Sequence, residues 1–395
     1  MTTRRLILTR SAALVGAAST GLLLPQIGRA QGNKVRVGLM LPYTGTFAQL
    51  GVAIENGVRM AIDEKGGKLG GREIEWFKVD DESEPSKGIE NASKLVQRDK
   101  VDVLIGTVHS GVQMGIQKVA RDSGVLSIIP NAGVHAATRA LCAPNVFRTS
   151  FTNSQPTLAL GKAMVDRGHK KAVWITWKYA AGDEAFEGFR DSYTAAGGTI
   201  VKELGLPFPN VEFQALLTEI ASLKPDAVAC FFAGGGAAKF IRDYAAAGLK
   251  GKIPLYGSGF LTEGVLDAAG PAADGIITTM HYSDSLDTPR NKKFRLDYAK
   301  TFRMQPDVYA VQGYDSGQLL VQGAAAVKGD LANKQALYKA MESATIDSPR
   351  GKWTMSKSHN PVQDMYLRVV ENKENKVIGI AAKALADSGA GCKMG

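Results

Sequence analysis

Residues 34–67 read KVRVGLMLPYTGTFAQLGVAIENGVRMAIDEKGG. Val35, Val37 and Leu39 alternate as one strand, and the loop Pro42-Tyr43-Thr44-Gly45-Thr46 ends it. Val52, Val58, Met60, Ala61 and Ile62 then give an apolar stripe of helical period, which Gly66 and Gly67 stop. Strand, glycine-bearing loop and long helix together open a βα unit, and the loops of such units are where ligands bind.

The same alternation runs on through the chain. Short apolar runs at Ile74–Val79, Val103–Ile105, Leu126–Ile129, Ala172–Ile175, Ala227–Phe232 and Ile276–Thr279 read as strands. Between them, Gly88–Arg98, Val112–Asp122, Glu184–Ala196, Phe213–Leu223 and Ala237–Ala247 are amphipathic and read as helices. The fold class this predicts is α/β, with parallel sheets flanked by helices in two Rossmann-like series, 34–150 and 170–278.

The first 30 residues stand apart. Arg4, Arg5 and Arg10 make a basic start, Ser11–Leu24 is a run of small and apolar residues, and Gly28-Arg29-Ala30 fits a cleavage site. Residues 1–30 are therefore expected to be a signal peptide, with Gln31 as the mature start. Thr3-Arg4-Arg5-Leu6 resembles a twin-arginine signal but lacks its preferred Phe and Lys, so the general secretory route is favoured. The expected location is the periplasm. These 30 residues hold four Arg and no acid, so the net charge falls from +10 to +6 without them. The basic residues are scattered and not interleaved with aromatics, which argues for a solvated surface and against a nucleic-acid partner.

Enzyme signatures are scarce. No phosphate-cradling loop or dinucleotide GxGxxG follows the first strand, and Gly257-Ser258-Gly259 is only a fragment of one. The five His residues are dispersed, so no metal or other cofactor is expected. Asp80-Asp81-Glu82 and the pair Glu184 and Glu187 read as solvated turn and helix faces. Cys230 lies in an apolar strand and reads as a buried thiol, while Cys142 and Cys392 are candidates for a disulfide in an oxidising compartment.

Pro42 to Gly45, Gly51 six residues after Gly45, and Asn56-Gly57 in the helix resemble the opening of the substrate-binding proteins of the leucine/isoleucine/valine ABC transporter family. The resemblance extends to about residue 375. It implies two lobes joined by three hinge crossovers, with a ligand cleft between them. The implied lobes are 33–151 plus 280–356 and 152–279 plus 357–388.

In that family a Ser and backbone N–H groups hold the ligand's carboxylate. The matching residues are His109, Ser110 and Gly111, followed by Asn131, Ala132 and Gly133. Ser110 either donates to the anion or only caps the next helix, and His109 either adds a charge or lines the rim. Amino-acid binders of the family place a Glu after a second-lobe strand to pair with the ligand's ammonium. Gly259 or Ser258 stands there, and Glu263 lies four residues beyond Gly259. Ala181 and Gly235 occupy places where tyrosines are common. Phe47, Trp177, Tyr179, Phe232 and Phe260 remain at loops facing the implied cleft, with Leu50 and Gly234 beside them.

The function this implies is a solute-binding protein of an ABC importer. It would capture a small carboxylate, an aromatic acid such as a benzoate or hydroxycinnamate, by hinge closure and pass it to an inner-membrane permease. A monomer is expected. The alternatives are binding of branched-chain or other aliphatic amino acids or amides, an enzyme on the same layered fold, and a sensory ligand-binding module.

Overall fold

The computed structural model describes residues 34–394; the signal peptide expected at 1–30 lies outside the described residues. The strand β1 (Lys34–Leu41) is buried over nearly its whole length, as a central parallel strand covered on both faces must be. The helix α1 (Ala48–Asp63) buries Leu50, Ile54, Val58, Ala61 and Ile62 on one stripe. Two glycines of the opening motif let backbones meet. A Cβ on Gly51 would stand 1.8 Å from the Pro42 carbonyl oxygen, and one on Gly57 would stand 2.1 Å from that of Ala310. Even a methyl group at Gly57 would force two helices apart, an overpacking cost of about 1–3 kcal/mol.

The chain continues through β2 (Glu73–Asp80), α2 (Pro85–Ser93), β3 (Val103–Ile105), α3 (Ser110–Ser123), β4 (Leu126–Ile129), α4 (His135–Thr138) and β5 (Val146–Arg148). Their strands form one parallel sheet in the order β2-β1-β3-β4-β5. After α5 (Ser154–Asp166) come β6 (Lys171–Lys178), α6 (Ala180–Ala195), β7 (Thr199–Pro207), α7 (Gln214–Leu223), β8 (Ala227–Phe231), α8 (Gly234–Ala246), β9 (Leu255–Ser258), α9 (Leu266–Ala269) and β10 (Ile277–Met280). These strands build the second sheet, parallel in the order β7-β6-β8-β9-β10.

The helices α10 (Pro289–Phe302), α11 (Val308–Ala326) and α12 (Lys334–Glu342) return the chain to the first lobe, with α11 packed along α1. Then β11 (Thr354–Met355), β12 (Pro361–Glu371) and β13 (Glu374–Leu385) complete the second sheet, β12 running antiparallel to β10. The fold is thus α/β with two lobes, each a helix-flanked sheet.

Buried charges lie beside the segments that join the lobes. Arg148 donates to Thr138 Oγ1 (2.7 Å), Asn360 Oδ1 (3.0 Å) and the Val134 carbonyl (2.6 Å). Arg350 pairs with Asp315 at 3.0 Å and donates to the Thr149 carbonyl at 2.7 Å. Arg368 pairs with Glu263 and donates to the Tyr282 carbonyl at 2.8 Å. Beyond β13 the tail crosses back: Asp387 accepts from Arg139 (2.8 Å) and Thr152 Oγ1 (3.0 Å), and Cys392 is disulfide-bonded to Cys142. Burial alone would raise the Asp387 carboxyl, but Arg139 holds it below the usual carboxylate range. Cys230 is a buried free thiol. No helix among the described residues is long and apolar enough to cross a membrane.

Candidate functional site

The carboxyl ends of the strands in both sheets converge on a small, narrow pocket. Phe47 and Leu50 reach it from the segment after β1, Val108 from the loop after β3, and Asn131 and Gly133 from the loop after β4. The second lobe supplies Tyr179 and Ala181 after β6, Phe231 and Ala233 around the end of β8, and Phe260 after β9. Phe151 and Asn153 come from the first crossing segment, and Tyr309 from the first turn of α11.

Several of the contacts across the cleft are between rings. His109 stacks on Tyr179 with centroids 4.8 Å apart, and Phe208 packs against Phe47 (5.2 Å) and His109 (5.0 Å). At the other end Phe260 meets Phe151 at 4.7 Å and Tyr309 at 5.9 Å.

Six of the lining residues are aromatic: Phe47, Phe151, Tyr179, Phe231, Phe260 and Tyr309. None is charged, and the only side-chain amides are Asn131 and Asn153. Asn131 donates to Gln312 Oε1 at 2.7 Å, and Gln312 in turn meets His281 Nε2 at 3.2 Å. Asn153 donates to Ser110 Oγ (3.2 Å) and Glu184 Oε2 (2.8 Å). The Tyr309 hydroxyl is buried in this wall and has no hydrogen-bond partner among the described residues. An unpaired buried hydroxyl costs about 1–3 kcal/mol, so a ligand atom that accepts from it would recover that.

Of the residues expected to face the cleft, the structure brings Phe47, Leu50, Asn131, Gly133, Tyr179, Ala181 and Phe260 to the cavity wall. His109, Ser110, Gly111 and Ala132 do not line it; His109 stacks on the lining Tyr179 and Ser110 bonds to the lining Asn153. Ser110 opens α3 as its first residue, while the cap is His109, whose Nδ1 accepts from the Gly111 N–H at 3.1 Å. Burial pushes the His109 imidazole down to about 4, so the positive charge envisaged for it is not there at neutral pH.

Trp177 and Phe232 are core residues instead of cleft residues. Trp177 donates to the Asn210 carbonyl at 2.7 Å, and Phe232 packs on Trp177, Phe213 and Phe240. Gly234 (φ +56°) does not line the cavity but lets the second lobe approach the first, since a Cβ there would stand 2.5 Å from the Thr46 carbonyl oxygen. Gly259 lies against Met280 and Arg368, outside the cavity wall. Glu263 is fully engaged with Arg368 and with the Val308 N–H (3.0 Å). It has no freedom to meet an ammonium.

Val108, Phe151, Asn153, Phe231, Ala233 and Tyr309 are lining residues that the sequence reading missed. The alternation in β8 held the signal for one of them: adjacent strand residues face opposite ways, so if Phe232 is core, Phe231 is not. Tyr309 carried none, because only the return of α11 brings it here. A wider groove of ≈ 1190 Å³ lies elsewhere, lined by Asp284, Asp287, Lys292 and Arg295, and presents charges and no aromatic ring. Among the described residues no three His, Cys, Asp or Glu side chains group to hold a metal ion.

Comparison with known proteins gives a consistent picture. The pattern of the family described as "Periplasmic binding protein" matches residues 34–375. The Leu/Ile/Val-binding protein homolog 6 of Brucella abortus is 28% identical over 355 residues, covering 88% of this chain and 90% of the relative. A solute-binding protein of an ABC transporter from R. palustris, crystallised with benzoate, is 54% identical with a TM-score of 0.89, covering 91% of this chain and 99% of the other. Another, from Rhodopseudomonas palustris BisB5 with 3,4-dihydroxybenzoic acid, is 32% identical with a TM-score of 0.85, covering 91% and 99%.

Proposed function

The chain belongs to the periplasmic binding protein family, and from that premise we propose that it captures an aromatic carboxylate for an ABC importer. The observation that carries this is the lining of the cavity: six rings and no charged side chain. A flat apolar body gains from offset and edge contacts with such rings. An α-ammonium would be buried without an acid to balance it, which is expensive, so the branched-chain amino acid alternative fits less well. The R. palustris protein crystallised with benzoate shares 54% of its residues with this chain, which supports the aromatic class.

The carboxylate would lie against the first lobe, near Asn131, Gly133 and Asn153, with the N-terminal end of α3 behind it. The helix dipole favours an anion there, and charge-assisted hydrogen bonds are the strong kind. The lobes are taken as 33–151 plus 280–356 and 152–279 plus 357–388, bounds with which β1–β5 and β6–β9 agree, while β11 (Thr354–Met355), inside the first-lobe range, pairs with β12 of the second sheet. Ligand contacts made from both lobes stabilise the closed form, and only these differential contacts shift the opening equilibrium. A membrane permease would receive the closed protein.

A thermal-shift series tests the assignment. Benzoate, 4-hydroxybenzoate or cinnamate at a hundredfold excess over Kd should add about 2.7 kcal/mol of stability, with the ligand recovered unchanged, while leucine and valine add nothing. A clear shift with leucine and none with any aromatic acid overturns it.

A further inference from the structure

Glu184 and Glu187 look alike in the sequence, one helical turn apart in α6. The structure separates them. Glu187 is exposed, whereas Glu184 points across the cleft into the first lobe. Its two carboxylate oxygens accept from the backbone N–H of His135 at 2.9 and 3.1 Å, at the end of the loop that carries Asn131 and Gly133. One of them also accepts from Asn153 Nδ2 at 2.8 Å, the same nitrogen that donates to Ser110 Oγ. A second-lobe side chain thus grips a first-lobe loop and fixes the amide that faces the cavity.

We propose that Glu184 is a latch between the lobes and a positioning residue for the ligand pocket. Parting the lobes breaks all of its bonds to the His135 N–H. Holding Asn153 turned toward Ser110 ties the shape of the pocket to closure. The inference rests on the assignment of this cavity as the ligand site.

The charged surroundings set a pH signature. His135 Nδ1 lies 3.8 Å from Glu184 and 3.8 Å from Glu187, and it also contacts Arg139 at 2.9 Å. Arg139 is committed to Asp387, and Arg148 acts on Glu184 from the hinge. Burial, only partly offset by the bonds from Asn153 and His135, pushes the Glu184 carboxyl up to about 7. With the lobes parted and the group wetted, its pKa returns to the ordinary carboxylate range, so closure takes up a proton and is favoured as pH falls. Burial pulls His135 the opposite way, to about 3, so the diagnostic quantity is the wild-type affinity relative to E184Q, which keeps His135 and lacks the titrating carboxyl.

The test uses benzoate titration together with spin labels placed by Glu90→Cys and Lys252→Cys, one on each lobe. E184A should bind benzoate about tenfold more weakly through faster release, the size expected when a hydrogen bond to a charged group is lost. Its ligand-free distance distribution should shift to longer values. E184Q, which retains an acceptor oxygen, should stay within about threefold of wild type at pH 7, while the wild type gains on it as pH falls from 8 to 5.5. E184A with wild-type affinity and an unchanged distance distribution overturns the latch. If the wild type fails to bind benzoate, the ligand assignment falls, while the distance measurement, which needs no ligand, still decides the latch.

Discussion

The pocket and the hinge are both buried where the two lobes meet, yet they handle charge in opposite ways. The hinge holds Arg148, Arg350 and Arg368 deep in the protein, the latter two paired with Asp315 and Glu263. The pocket, a short way off, has no charged lining residue at all. A charge whose partner is covalently part of the same molecule is satisfied once, on folding, and stays satisfied. A charge in the pocket would be left unpaired in every cycle of release. Neutral donors and rings wait there at lower cost, so under the proposed function the ligand's carboxylate would be the one charge that comes and goes.

The strongest way to break this contrast is to leave a hinge charge without its partner. Arg368→Met strands Glu263 and should cost about 3–5 kcal/mol of stability, read by chemical denaturation. Burial already raises the Glu263 carboxyl above its usual range. A group whose folded pKa is raised weakens the fold as pH rises, so the deficit should grow from pH 5 to pH 8. A loss under about 1 kcal/mol would mean that the hinge charges are ornamental.

Next is the covalent part of the hinge. Replacing Cys142 and Cys392 together by Ser opens a loop with a sequence separation of 250 residues and should remove about 2–4 kcal/mol, with benzoate still bound. In the pocket, Ala181→Leu adds bulk to the wall. It should weaken aromatic acids by about 1–3 kcal/mol of overpacking while the melting temperature of the free protein holds, and calorimetry with an unchanged Kd would remove Ala181 from the wall.

Ser110→Ala should cost about 1 kcal/mol of binding, since Ser110 reaches the cavity through Asn153. The smallest effect is that of His109. With its pKa near 4, its ring resonances should show no inflection between pH 5 and 8, and an inflection near 6.5 would make it a charged rim residue after all. Because the unfolded imidazole protonates first, this group drains stability only as pH falls below its ordinary range.

Much of the frame was legible because it is local. The strand-loop-helix at 34–67 and the alternation that follows are set by neighbours in sequence, and Gly51 and Gly57 mark close approaches that only glycine allows. What escaped depends on distant pairing. Glu263 and Arg368 are 105 residues apart, so neither looks structural alone. Glu184 read as a solvated face because helical periodicity reports burial within one lobe and is blind to the lobe across the cleft. The error of parity between Phe231 and Phe232 has a different origin: a strand buried on both faces has no polar side to set its register. The hairpin of β12 and β13 went unread for a related reason, since its pairing to β10 is made only after the chain has returned from the first lobe.

The tail of the chain bears on how this molecule could be turned into a sensor. Asp387 and the Cys142–Cys392 bond moor the C-terminal residues to the first lobe and to Thr152 of the first crossing segment. A fluorescent reporter fused at that end would be held to the first lobe, so its signal would change little with occupancy. A dye attached near Phe208, where second-lobe and first-lobe rings meet, would report the same motion at its full lever arm. Production in a reducing cytoplasm would cut the mooring and set the fused reporter adrift from the frame it is meant to measure.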